Sequence, residues 1–286
     1  MDYKQVKNHW DAWAKQFGTA LRATTKSMTI KQLEIFALMR HMTTGARILD
    51  VGCGNGYNSI SFVTNKKDVR VIGVDYSKDM IDNAKRNASS LSPQQRRRLE
   101  FVVGDALNLS FREEFDIVTT NRCIINFTNL KMQKLAIKKI VEAICPKGLF
   151  LMLENSQQNY GRQNDAREAV GLPRRTPPVF NLFLDETIIL PFCKKQKLEL
   201  LSIDDFSALH DLMLYVILTA NEPGKEHYDE PLIAKAAELT MNLAERGYGY
   251  PFGAFGQNRL YVFRKTKKIG GVRYEKAELG KPNDFK

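Results

Sequence analysis

Three glycines at alternate positions, together with two aspartates, form the part of this sequence best suited to binding a reactive ligand. Gly52, Gly54 and Gly56 follow a short apolar run that contains Asp50. Glycine permits positive φ angles and lets a ligand approach the backbone, and a helix beginning after the glycines presents free N–H groups. Asp75 follows about 20 residues later, the separation at which nucleotide-binding folds place a carboxylate on a ribose. The pattern indicates a nucleotide-binding turn.

The spacing of the glycines distinguishes two kinds of nucleotide site. Dinucleotide enzymes use G-x-G-x-x-G, whereas this chain reads G-x-G-x-G after an acidic residue. Here the sequence resembles the class I S-adenosylmethionine-dependent methyltransferases, whose hallmark is an acidic residue and G-x-G-x-G after the first strand. The resemblance implies that S-adenosyl-L-methionine is the cofactor. It implies cofactor contacts from the turn and from the end of the second strand, at Asp50, Gly52, Cys53, Gly54, Gly56, Asp75 and Tyr76.

Later strand ends supply the remaining cofactor candidates. The stretch Gly104-Asp105-Ala106 looks like the family motif in which an acidic side chain binds the adenine amino group and the next backbone N–H binds the ring. In the same family, the exit of the fourth strand faces the methionine part of the cofactor. The resemblance therefore implies cofactor contacts at Asn121 and Cys123.

Candidates for binding the methyl acceptor lie on three segments. Arg122 and Asn126 share the exit of the fourth strand and are expected to reach a substrate. Trp10 lies in an amphipathic aromatic pattern, where it either closes the cofactor mouth as a lid residue or packs in the core. Tyr160 and Arg162 lie in an arginine-containing insertion, which either suits a phosphate, carboxylate or sugar nucleotide or forms a solvent-facing connection.

Alternating strands and helices must bring these residues together. Strands are predicted at 47–51, 70–75, 99–103, 115–120, 148–154, 198–206 and 258–264. Helices are predicted at 57–65, 78–89, 131–144 and 231–246, with two more before residue 45. This order predicts an α/β fold, a doubly wound, seven-stranded, mostly parallel Rossmann-like sheet with an N-terminal helical segment and cap insertions. Ligands in such sheets bind at the carboxyl ends of the strands, where several acidic and amide candidates fall.

The same pattern divides the chain into five segments, which differ in their expected roles. They are an N-terminal helical cap (1–45), a cofactor-binding core (46–154), an insertion serving as a substrate cap (155–197), the last two strands with an inserted helix (198–265), and a basic tail (266–286). The run from 212 to 218 is apolar, but its period does not decide between helix and strand.

The chemistry expected of a methyltransferase places few demands on side chains. Methyl transfer is an in-line displacement, in which the protein mainly supplies alignment and exclusion of water. A base is needed when the acceptor is a hydroxyl or a protonated amine. His210, His41 and Glu154 are the titratable candidates, and the sequence assigns the role to none of them.

Composition limits the cellular setting and the partners. The chain has 286 residues, 43% of them hydrophobic, and a net charge of +11. Residues 1–42 and 265–286 each carry seven basic and three acidic groups, +4 apiece, so the excess is spread rather than gathered into one basic helix. The four cysteines lack metal-ligand spacing and no apolar run reaches membrane length. We therefore expect a cytoplasmic protein with no metal and no membrane partner.

These observations together predict a methyltransferase that acts on a small polar or sugar-linked acceptor by in-line methyl transfer. The basic ends keep an RNA or protein methyltransferase as an alternative, with nucleic acid possible as a partner but not favoured. A non-catalytic nucleoside-binding module is the third interpretation, although the intact glycine turn and acidic residues speak against decay of the pocket. The sequence leaves the acceptor atom and the oligomeric state open.

Overall fold

The computed structural model describes residues 1–266 as one seven-stranded sheet flanked by helices. The spatial order of the strands is β3-β2-β1-β4-β5-β7-β6. The strands are β1 (Arg47–Val51), β2 (Arg70–Asp75), β3 (Leu99–Val103), β4 (Phe115–Asn121), β5 (Ile144–Asn155), β6 (Leu198–Asp204) and β7 (Asn258–Lys265). Apart from its first residue, the predicted basic tail lies outside the described residues.

The pairing of the strands confirms the predicted mostly parallel sheet. Strands β1 to β5 run parallel, while β7 is antiparallel to both β5 and β6. Strand β1 lies between β2 and β4, so the strand order reverses beside it. In open α/β sheets, that reversal opens a crevice at the carboxyl ends of the strands.

Helices cover both faces of the sheet and its carboxyl edge. They are α1 (Tyr3–Phe17), α2 (Met28–Met39), α3 (Tyr57–Asn65), α4 (Lys78–Asn87), α5 (Pro93–Arg96), α6 (Leu130–Ala143), α7 (Gln157–Ala169), α8 (Glu186–Lys195), α9 (Ala208–Leu212), α10 (Thr219–Asn221) and α11 (Pro231–Glu245). A π-helical stretch, Met213–Leu218, joins α9 to α10, so the apolar run with an undecided period is helical.

Each face of the sheet packs its own apolar layer. On one face, Ile48 of β1 is fully buried in a cluster with Leu33 of α2 and Phe62 of α3. On the other face, Leu49 packs in a cluster with Ile137 of α6. Burial of such side chains contributes about 1.5–3 kcal/mol each, and it fixes the strand ends that carry the polar candidates.

Two helices, α7 and α8, occupy the insertion, for which the sequence analysis assigned neither helices nor strands. The inward face of α7 is polar, because Asn159, Gln163 and Asn164 are buried there, so the helix lacks the apolar periodicity by which helices are recognised. Helix α8 contains Pro191 in its interior, a residue that removes a helical N–H and usually ends a helix.

Neither a membrane span nor a metal cluster is found in the part of the chain that the structure describes. No helix between residues 1 and 266 combines the length and the apolar character needed to cross a bilayer. Across the same residues, no three His, Cys, Asp or Glu side chains are grouped as metal ligands.

Candidate functional site

A cavity of about 350 Å³ lies where the carboxyl ends of the central strands meet α1. Its size falls within the range of small-molecule sites. Most of the residues predicted from the sequence line it: Trp10, Gly52, Cys53, Gly54, Asp75, Tyr76, Asp105, Ala106, Asn121, Arg122, Cys123, Asn126, Tyr160 and His210. The structure therefore brings the predicted cofactor and acceptor residues into one space.

The glycine turn after β1 depends on the absence of side chains. Gly52, Gly54 and Gly56 have φ angles of 74°, 54° and 85°, in the left-handed region that favours glycine. A Cβ added at Gly52 would lie 2.5 Å from the sulfur of Cys123, and one at Gly54 would lie 2.8 Å from a methyl carbon of Thr24. Backbone conformation and close neighbours both require glycine here.

Asp75, at the end of β2, is a buried carboxylate that faces this turn. Its Oδ2 accepts a hydrogen bond from the Gly54 N–H at 2.9 Å, and its Oδ1 accepts one from the Ser77 N–H at 2.9 Å. Burial raises the pKa of Asp75 to about 6, against the opposing effect of these two donors. A carboxylate can accept about four hydrogen bonds, so Asp75 retains capacity for two hydroxyl donors of a ligand.

Asp105, after β3, is tied to helix α1. Lys7 forms an ion pair with its Oδ2 at 2.6 Å, and the Tyr3 hydroxyl donates to its Oδ1 at 3.1 Å. Burial alone would raise the pKa of Asp105, but the hydrogen bonds from Lys7 and Leu107 outweigh it and lower that pKa. Lys7 and Tyr3 were missed in the sequence because about 100 residues separate them from Asp105 and no local pattern links them.

A buried ion cluster lies on the side of the cavity formed by α2. Glu34, which is fully buried, pairs with Lys31 at 2.8 Å and with Arg122 at 2.9 Å, and it accepts a hydrogen bond from Asn121 at 2.9 Å. Arg122 also donates to the carbonyl of Thr24, next to the glycine turn. Lys31 and Arg122 thus lie beside the turn with their charges paired by Glu34.

Two predicted cofactor residues, Asp50 and Gly56, lie behind the cavity wall and do not line it. Asp50 is buried and accepts hydrogen bonds from Ser59 at 2.6 Å and Thr119 at 3.0 Å, so it joins β1 to α3 and β4. Gly56 begins α3, and a Cβ there would lie 2.7 Å from the ring of Phe101. In the structure both residues support the turn from behind.

Glu154, a predicted base candidate, also lies outside the cavity lining. Its carboxylate accepts hydrogen bonds from three successive backbone N–H groups at the exit of β4, those of Cys123, Ile124 and Ile125, at 3.0–3.3 Å. Burial raises the pKa of Glu154 to about 7, although these donors oppose the shift. The carboxylate thus holds the β4 exit in place.

Two further candidates are directed away from the cavity. His41 forms a pair with Asp204 at 2.8 Å, and Arg162 donates to Asn159 at 2.9 Å. Neither residue is part of the cavity wall. Their side chains are therefore occupied elsewhere in the fold.

Eight aromatic side chains also line the cavity, and we call the part that they form the aromatic half. The rings belong to α1, the β4 exit, the 155–197 insertion and the segment between β6 and α11: Trp10, Trp13, Phe127, Tyr160, Phe180, Phe183, Tyr215 and Tyr228. Trp10 meets Phe180 edge-on, with ring centroids 5.7 Å apart. Helix α1 and the insertion thus close this half of the cavity together.

His210 places an imidazole in the wall of the same half. Its Nδ1 lies 2.8 Å from Oδ1 of Asp211, and its buried Nε2 has no hydrogen-bond partner among the described residues. Asp211 is itself held by the Gln257 N–H at 2.8 Å and the Ser207 hydroxyl at 3.1 Å. A carboxylate on Nδ1 favours the tautomer whose Nε2 accepts a proton.

Comparisons with known proteins agree with this geometry. The family model for a methyltransferase domain matches residues 48–148. Demethylmenaquinone methyltransferase of Staphylococcus saprophyticus is 31% identical over 119 residues, which cover 41% of this chain and 48% of that protein. Magnesium-protoporphyrin O-methyltransferase of Rhodobacter capsulatus is 31% identical over 173 residues, which cover 53% of this chain and 75% of that protein.

A solved structure extends the similarity over nearly the whole chain. The methyltransferase bound to the Haloferax volcanii Trm112 methyltransferase activator superposes with a TM-score of 0.59 at 18% identity, covering 93% of this chain and 100% of that one. At that identity the likeness shows the fold alone. The aligned part of this chain spans about half the length of the first curated relatives it matches. The sequence motif, the sheet order and these matches establish that the chain belongs to the class I S-adenosylmethionine-dependent methyltransferases.

Proposed function

We propose that this protein transfers a methyl group from S-adenosylmethionine to a small polar acceptor bound in the aromatic half of the cavity. The observation that carries the proposal is that one cavity is lined by the glycine turn, Asp75 and Asp105 and also by aromatic side chains of α1 and the 155–197 segment. A module that only binds a nucleoside has no need of the additional aromatic lining from the 155–197 segment. The methyltransferases of Staphylococcus and Rhodobacter named above support the same reaction class.

The part of the cavity formed by the glycine turn, Asp75 and Asp105 has the polar groups needed to bind the cofactor. Asp75 has room for two hydroxyl donors, as a ribose requires, and the Ala106 N–H lies beside Asp105 for the adenine ring. Asn121 lines the cavity with a buried, unpartnered side-chain oxygen that can accept from the cofactor's ammonium group. Lys31 and Arg122 line the cavity and can donate hydrogen bonds to the cofactor's carboxylate.

The residues of the chain contribute alignment and the exclusion of water. When bound, S-adenosylmethionine supplies an electrophilic methyl group on a sulfonium. Helix α1 covers the cavity with Tyr3, Val6 and Trp10, and the Lys7–Asp105 pair fastens it to the end of β3. Closure of this kind removes competing water and fixes the relative orientation of two bound reactants, a large contribution to catalysis of group transfer.

The acceptor is a small molecule, polar or sugar-linked, rather than a nucleic acid. The 155–197 segment is proposed as its cap, because Tyr160, Phe180 and Phe183 of that segment line the cavity. Aromatic walls stack on a planar ring or on the apolar face of a sugar. A cavity of about 350 Å³ favours such acceptors over an RNA or protein chain.

A labelled-cofactor screen tests the proposal. The protein is incubated with S-adenosylmethionine carrying a labelled methyl group and with fractions of small-molecule extract, tRNA or a protein mixture. We expect label in a small-molecule fraction, and loss of transfer in the Asp75→Ala variant. Label in tRNA or protein, or no binding of S-adenosylhomocysteine by calorimetry, would overturn the proposal.

A further inference from the structure

Arg175 is a cavity-lining cation that has no carboxylate partner within residues 1–266. Its guanidinium stacks on Tyr215, 3.7 Å from the ring centroid, and one of its nitrogens donates to Gln163 at 2.8 Å. The other cations that line the cavity are paired with glutamates: Lys26 with Glu226, and Lys31 and Arg122 with Glu34. Arg175 thus keeps donors available for an anion.

A second guanidinium, that of Arg167, lies close to Arg175. Arg167 is buried and donates to the backbone carbonyls of Pro173 and Tyr215, and it too has no carboxylate partner in the described part of the chain. Burial and the charge of Arg175 lower the pKa of Arg167. Arg167 does not line the cavity, but its charge adds to that of Arg175. An anion bound at Arg175 would therefore offset two neighbouring cations that have no carboxylate partner within residues 1–266.

The proton acceptor lies in the same compartment. His210 has a buried Nε2 without a partner in the described part of the chain, and Asp211 orients its imidazole. The charges of Asp211 and Arg175 both act on the hydroxyl of Tyr215, and Tyr228 lies beside that hydroxyl. The π-helical stretch that carries Tyr215 follows directly after α9, which carries His210, and so links the proton acceptor to the anion site.

We propose that the acceptor is a hydroxylated aromatic acid, whose carboxylate binds Arg175 and whose hydroxyl gives its proton to His210. This inference rests on the proposed methyltransferase function and narrows its substrate class. The aromatic walls contact both faces of a planar ring, Arg175 matches a carboxylate in bidentate geometry, and the His210–Asp211 pair matches a hydroxyl that must lose its proton.

The proposed step balances in atoms and charge. His210 Nε2 takes the hydroxyl proton while the acceptor oxygen forms a bond to the methyl carbon. The bond between that carbon and sulfur breaks, and its electron pair stays on sulfur. His210 then releases the proton to water. The products are the methyl ether, the neutral thioether and one proton.

A coloured phenol tests the assignment without relying on turnover. The probe is 4-hydroxy-3-nitrobenzoate, whose phenolate absorbs visible light, added to the protein saturated with S-adenosylhomocysteine. We expect binding with the phenol pKa lowered by roughly one unit or more, because the imidazolium stabilises the phenolate. The compound without a hydroxyl, 3-nitrobenzoate, should bind and displace the probe.

Variants separate the two roles, each with a matched control. His210→Gln should bind the probe but abolish the shift of its pKa, whereas His41→Gln, which alters a similar His–Asp pair away from the cavity, should behave as the wild type. Arg175→Gln should weaken probe binding about tenfold without weakening 4-nitrophenol. Arg174→Gln should change neither, since Arg174 pairs with Asp165 and Glu168.

The outcomes distinguish this inference from the function on which it rests. If S-adenosylhomocysteine does not bind, the methyltransferase proposal fails and this inference fails with it. If the cofactor product binds but the probe does not, or if the probe ionises equally in His210→Gln, only the acceptor assignment is overturned. Equal probe affinity in Arg175→Gln and in the wild type would likewise reject the anion site.

Discussion

Replacing Asp75 by asparagine removes one negative charge from the predicted ribose site with little change in shape. In the structure Asp75 accepts from the N–H groups of Gly54 and Ser77, each at 2.9 Å, and keeps two acceptor positions for the ribose hydroxyls. Hydrogen bonds to a charged group contribute about 1.5–3 kcal/mol each. Loss of one such bond raises the Kd for S-adenosylhomocysteine roughly 10- to 150-fold.

The pH dependence of binding gives this prediction a second, independent readout. The pKa of Asp75 is raised to about 6, and ribose hydroxyls donate to its ionised form. Affinity for S-adenosylhomocysteine should therefore rise as the pH increases through about 6 and level off above it. Below that pKa the slope approaches about tenfold per pH unit. The amide of the Asp75→Asn variant cannot ionise, so binding by that variant should lack this pH-dependent rise.

Calorimetry across that pH range checks both readouts, and thermal unfolding checks that the variant is folded. Asp116→Asn is the control, because Asp116 lies near the amino end of the central strand β4, opposite the carboxyl ends that form the cavity, and pairs with Arg47. It should bind as the wild type. An Asp75→Asn protein that is folded and keeps wild-type affinity and pH dependence would refute the assignment of Asp75 to the ribose.

Two further predictions concern the adenine and the turn. The wild type should bind S-adenosylhomocysteine about tenfold or more tightly than S-inosylhomocysteine. Asp105→Ala should reduce this preference to within about threefold, because the 6-amino group loses its charged acceptor. An unchanged preference in competition binding would contradict this prediction. Gly54→Ala and Gly45→Ala should each lose about 1–2 kcal/mol of stability, since both glycines have positive φ. Only Gly54→Ala should also lose cofactor affinity, because its Cβ meets Thr24 while that of Gly45 meets nothing within 4 Å; equal Kd values would count against the turn.

Much of the fold could be predicted because local apolar runs and turn residues determine the sheet. Strand β1 occupies the predicted residues 47–51, and α3 the predicted 57–65. The period of a short apolar run does not by itself separate a strand from a buried helix, but here the shortness of each run and the glycine or aspartate that follows it favour a strand. Helix α7 could not be predicted in this way, since its buried face carries amides such as Asn159 and Gln163, whose partners are distant in the chain.

The site was predictable where a residue follows a strand, and not where distant segments meet. Asp75 and Asp105 follow strands, and the shared edge of a parallel sheet brings them together. Glu34 of α2 lies behind the cavity wall, where it is buried and pairs with the lining residues Lys31 and Arg122. Helix periodicity alone assigns such a position to packing. No local pattern could show that tertiary pairing.

The most direct test of the account is a crystal structure of the protein with S-adenosylhomocysteine. We predict density for the nucleoside at the carboxyl ends of β1 to β3, with the ribose hydroxyls within hydrogen-bond distance of the Asp75 carboxylate and the adenine amino group at Asp105. Density for the ligand elsewhere, or a ribose that makes no contact with Asp75, would contradict the account.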